Sequence, residues 1–82
     1  MKKQINTQPN HLTKTQAKTF LQFKRKLAEH LPSFRIEWVL PVKEKMIELH
    51  LESGKRTYRN TIKAARLAVE VEEKTGVTII LR

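Results

Sequence analysis

The sequence predicts an α+β fold: a single small domain of order αββαβ, with two helices on one face of a three-stranded mixed sheet. Three observations predict it. Residues 14–31 and 58–75 repeat apolar side chains at three- and four-residue steps, the spacing of amphipathic helices. Residues 34–40 and 46–52 alternate apolar and polar side chains as half-buried strands do, and a turn beginning at Pro41 joins them as an antiparallel hairpin. Residues 77–82 alternate again beyond the second helix, and a strand reached through a crossover helix is expected to run parallel to the strand before that helix.

The first helix opens on Thr13-Lys14-Thr15-Gln16, the Thr-x-x-Gln pattern of a capping box, and runs to about Leu31 because Pro32 cannot continue it. Ala17, Phe20, Leu21, Leu27, Ala28 and Leu31 share one arc, with Phe23 at its margin, and form the expected buried side. Lys14, Lys18 and Arg25 share another arc, shifted by roughly 90°. Lys24 falls inside the apolar arc, where its stem is expected to lie along a groove and its ammonium to reach water.

In the hairpin, strict alternation puts Phe34, Ile36, Trp38 and Leu40 inward, opposite Ile47, Leu49 and Leu51, and the last strand adds Val77, Ile79 and Leu81. The other face then carries Arg35, Glu37, Val39, Met46, Glu48, His50 and Glu52, with Thr78, Ile80 and Arg82, and no aromatic ring. A sheet that stacks nucleobases needs exposed rings, so any nucleic acid is expected on the helices instead. His50 has Glu48 and Glu52 on its own strand face, a pattern that fits a cross-strand charge pair with Arg35 better than a metal or catalytic centre.

The second helix follows the turn pair Ser53-Gly54, takes Thr57 as N-cap and ends at Thr75-Gly76. At 100° per residue from Tyr58, the side chains of Tyr58, Ile62, Ala65 and Val69 lie within about 40° of zero, and Ala64, Ala68 and Val71 widen this apolar side. Lys55, Arg59, Lys63 and Arg66 form a basic stripe at about 60–140°, joined at the turn by Arg56. Bases early and Glu70, Glu72 and Glu73 late oppose the helix dipole, at about 0.3–1 kcal/mol per exposed charge, whereas bases at a helix N-terminus favour an anion there.

Over residues 13–82 this order resembles a ferredoxin-like domain lacking its first strand, and also the type II KH domains that bind RNA. The resemblance is one of element order. Gly54-Lys55-Arg56-Thr57 has threonine where the KH clamp, Gly-x-x-Gly, needs its second glycine, so the resemblance carries no function onto these residues.

Length and composition bound the rest. Eighty-two residues with 39% hydrophobic and 30% charged side chains make one folded domain, taken as residues 13–82 behind a flexible basic tail at 1–12. There is no cysteine for a disulfide or thiolate, no apolar run of membrane-spanning length and no secretory h-region, so a cytoplasmic protein without a membrane role is expected. The formal net charge is +9, and it is polarised: residues 1–35 hold eight Lys or Arg against Glu29 alone, residues 36–82 nine against seven acids. That polarity points to a binding face rather than to solubility. The expected function is RNA or DNA binding, with phosphate contacts from Lys14, Lys18 and Arg25 and from Lys55, Arg56, Arg59, Lys63 and Arg66. No catalysis, cofactor or metal is expected. The alternative is a protein-interaction module or homo-oligomeric subunit, such as a homodimer formed through a strand edge or the sheet's outer face, whose basic stripe docks an acidic protein.

Overall fold

A computed structural model describes residues 12–54 and 57–82. The element order is α1 (Lys14–His30), β1 (Arg35–Lys43), β2 (Met46–Glu52), α2 (Tyr58–Thr75) and β3 (Thr78–Leu81). The sheet order is β1-β2-β3, with β1 antiparallel and β3 parallel to the central β2. This is the predicted α+β domain with a mixed three-stranded sheet and two helices. The tail and the bases Lys55 and Arg56 lie outside the described residues. Leu12, assigned by the sequence to the tail, packs against the core.

Both helices begin as their sequences demand. In α1 the Thr13 hydroxyl accepts from the Gln16 amide at 3.1 Å, and the Gln16 side-chain oxygen accepts from the Thr13 amide at 2.9 Å, completing the capping box. In α2 Thr57 accepts from the Asn60 amide at 3.1 Å. Gly76 closes α2 at φ 78°, and its amide donates to the Glu72 carbonyl at 2.7 Å. This left-handed cap is why a glycine follows the last helical turn.

Each helix buries a different arc from the one its sequence suggests. On α2 the buried residues are Ala64, Leu67, Ala68 and Val71, while Tyr58 is 83% and Val69 51% exposed, with Ile62 and Ala65 also at the surface. On α1 Phe23 and Thr19 are fully buried and Leu21 is 51% exposed, with Ala28 exposed beside it. The reason is the second helix. A wheel read against a sheet alone ignores that two helices on one face also touch each other. Thr19 and Lys26 lie on one side of α1, and Leu67 and Glu70 on the corresponding side of α2. Lys26 Nζ reaches Glu70 Oε1 at 3.3 Å across that boundary, so each buried arc is turned toward its neighbour.

The sheet carries a second correction. Register shifts fall between Ile36 and Trp38 and between Pro41 and Lys43, so Glu37 and then Val42 are extra residues in β1. An inserted residue inverts the alternation beyond it. Val39, expected outside, is buried opposite Leu49, and Leu40, expected inside, is 50% exposed opposite Glu48. Trp38 moves from the expected core to the outer face, opposite His50. The strand also runs on through Pro41 to Lys43 instead of turning at Pro41, which an edge strand tolerates because its outward amide position needs no partner.

The core gathers Phe20, Phe23 and Leu27 of α1, Ile47, Leu49 and Leu51 of β2, and Leu67 and Val71 of α2, with Val77 and Ile79 closing it. One buried polar side chain locks the hairpin to α1. The Gln16 amide nitrogen, buried with the rest of its side chain, donates to the Lys43 carbonyl at 2.7 Å and the Glu44 carbonyl at 3.1 Å.

Candidate nucleic-acid interface

The charged residues divide by layer. Helix α1 holds five Lys or Arg against one acid and α2 four against three, whereas the three strands, counted with Arg82 that follows β3, hold three of each. The described excess of positive charge therefore sits on the helices.

Lys14, Lys18 and Arg25 are exposed on α1, on the side opposite its buried arc, and Leu21 shares that side. Arg59, Lys63 and Arg66 are exposed on α2. None of the six is in an ion pair among the described residues, in contrast to Lys26, which Glu70 engages. Arg59, Lys63 and Arg66 border one shallow surface groove together with Tyr58 and Ile62. Lys24 is also exposed, and its ammonium stands 5.9 Å from the centroid of the Phe20 ring, a cation–π contact that fits the expected path along the apolar surface.

The two basic groups do not merge into one stripe. The N-terminus of α1 is tied by Gln16 to the β1–β2 turn, and α2 begins after the far end of β2. The helices are therefore antiparallel. Seven strand residues at about 3.3 Å each separate their N-termini by roughly 20 Å. Lys14 and Lys18 stand at one end of the helical layer and Arg59 and Lys63 at the other, with Arg25 toward the latter.

Sequence reasoning missed Tyr58. Its place on an apolar arc hid that this arc is the exposed one, and the signal that could have found it was Leu67, whose position on the wheel draws the buried side away from Tyr58.

His50 does not use the carboxylates beside it on β2. Its Nε2 lies 3.3 Å from Glu37 Oε1, across the hairpin, where Glu37 shares the outer face as alternation expects. Glu48 instead accepts from Arg82 Nε at 2.9 Å, and Glu52 stands opposite Arg35. Among the described residues no three His, Asp or Glu side chains are grouped to hold a metal ion, and no helix is long and apolar enough to cross a membrane.

No family model, no curated protein and no solved structure matches the chain. The ferredoxin-like and KH-like resemblances accordingly remain matters of element order.

Proposed function

We propose that the protein is a nucleic-acid-binding domain whose helical layer contacts phosphates, and that it acts without catalysis. One observation carries this reading: the groove that Arg59, Lys63 and Arg66 line together with the exposed Tyr58. Three cations beside a free aromatic face suit a single strand, whose phosphates meet the bases while a nucleobase stacks on the ring, a contact of about 1–3 kcal/mol. Lys14, Lys18 and Arg25 extend the surface along α1, and Lys55 and Arg56 adjoin Arg59 in the sequence. Such contacts position the chain and carry little sequence information, so binding is weakly specific.

The test is a fluorescence-anisotropy titration against single-stranded RNA, duplex RNA and duplex DNA at several salt concentrations. With about five phosphates neutralised, the logarithm of affinity falls against the logarithm of salt with a slope of roughly −3.5 on a single strand and −4.5 on duplex DNA. Arg59→Glu with Lys63→Glu weakens binding to every polymer, and Tyr58→Ala selectively weakens the single strand. If the double variant binds as the parent does, the reading fails.

A second reading, a module that docks an acidic protein, draws on the exposure of Ile62 and Val69 beside the same bases. It is distinguished by an interaction that persists when Tyr58→Ala has removed the ring.

A further inference from the structure

The bulge that turns Trp38 outward gives the open sheet face a character unlike the rest of the surface. Trp38 stacks on His50 with ring centroids 5.2 Å apart and planes at 31°. The strand register places Leu40, Met46 and Ile80 on the same face, through the pairs Leu40–Glu48, Met46–Thr78 and Glu48–Ile80. Leu40 is half exposed and Trp38, Met46 and Ile80 are partly so.

Each acid on this face stands against a basic or imidazole side chain of the same chain. Arg82 holds Glu48, Glu37 faces His50, and Arg35 stands opposite Glu52. Covering the face therefore leaves these acids with their own partners, which lowers the cost of burying them below that of unpaired ions. Arg35, Lys43 and Arg82 balance Glu37, Glu48 and Glu52, so the sheet counted with Arg82 is electrically neutral in a chain of net charge +9. Two such chains repel one another through their helical layers, and the sheet face is where they meet without that repulsion.

We infer that the open sheet face, centred on Trp38, Leu40, Met46 and Ile80, is the docking surface for a second copy of this chain, sheet against sheet. The two helical layers then point away from each other, and Lys14, Lys18, Arg25, Arg59, Lys63 and Arg66 stay exposed on both sides of the dimer. The inference is independent of what those bases bind. A nucleic acid suits the sheet face less than the helical layer, since Glu37, Glu48 and Glu52 offset the bases there and leave no net attraction for phosphates.

The experiment is sedimentation of the full chain over a range of concentrations and salt, with emission read on the same samples. Trp38 is the only tryptophan, so its emission reports on this face alone. A dimer is expected whose formation strengthens as salt screens the helical layers, opposite in sign to the salt dependence of polyanion binding, so the failure of either reading is recognised separately. Dilution moves Trp38 emission to the red as the dimer dissociates. Leu40→Glu, at a position half exposed in the monomer, raises the dissociation constant at least about tenfold, whereas Val69→Glu on the helical layer leaves it unchanged.

A wild-type chain that stays monomeric at about 0.5 mM in about 0.5 M salt overturns the inference without reference to any variant. So does a dimer that Val69→Glu dissociates and Leu40→Glu does not. A change in Trp38 emission on adding single-stranded RNA to dilute, monomeric protein also overturns it, by showing that the sheet face takes a nucleobase.

Discussion

Gln16 makes four hydrogen bonds from one helix turn. Its backbone amide and side-chain oxygen complete the cap with Thr13, and its side-chain nitrogen reaches two carbonyls of the hairpin turn. Removing it orphans the Thr13 amide and the Lys43 and Glu44 carbonyls together, so Gln16→Ala is expected to destabilise the fold by about 2–3 kcal/mol in urea titration. Gln16→Glu separates the two roles. The carboxylate still accepts from Thr13, but it replaces the N–H donors with oxygen facing two carbonyl oxygens, and it is expected to cost at least as much despite glutamate being a good helix former. The two glycines make a second contrast at this scale. Gly76 holds φ 78° with open space around its Cα, so Gly76→Ala pays only for conformation, about 1–2 kcal/mol. Gly54 has no positive φ and open space as well, and Gly54→Ala is expected to change the urea midpoint little or to raise it slightly.

At the scale of the element, α2 offers a direct test of which arc is buried. Leu67 is 6% exposed and Val69 51%. Leu67→Ala is expected to cost about 2–4 kcal/mol, and Val69→Ala less than about 0.5 kcal/mol, in the same denaturation experiment. The reverse order would restore the arc centred on Tyr58. The charges of the helices make a further prediction. Neither helix has an acid in its first turn, and Lys14 and Arg59 occupy sites where a dipole favours a carboxylate. Lys14→Glu and Arg59→Glu are each expected to raise stability by about 0.3–1 kcal/mol while weakening polyanion binding. A basic residue retained where it costs stability is what a binding surface requires, and a loss of affinity in these variants could not be ascribed to unfolding.

For the molecule as a whole, the division of charge between layers matters more than its total. Unpaired bases lie on the helices and a neutral, partly apolar surface on the sheet, so the two sides respond to salt in opposite ways. Screening weakens what the helical layer attracts and relieves the repulsion between whole molecules. The same screening is expected to raise the urea midpoint of the monomer between low and moderate salt, because Lys14, Lys18, Arg25, Arg59, Lys63 and Arg66 have no acidic partner among the described residues. A midpoint that falls instead would mean that attractive pairs outweigh repulsion on this surface.

The local signals in the chain were sufficient for its elements. Thr13 with Gln16, Thr57, Pro32 and Gly76 set where helices begin and end, and the alternation of residues 46–52 is reproduced without exception, because capping and pleating involve only neighbours in sequence. Those signals also determined that the sheet is mixed and that the bases stand on helix surfaces. Facing was decided by the tertiary structure. Contact between α1 and α2 turned both buried arcs, exposing Tyr58 and burying Phe23, and the bulge at Glu37 exchanged Val39 for Leu40 and carried Trp38 out to His50. Periodicity constrains an element only up to rotation about its axis or inversion of its faces. Which rotation, and which face, follows from the surfaces packed against it, and those come from residues distant in the sequence.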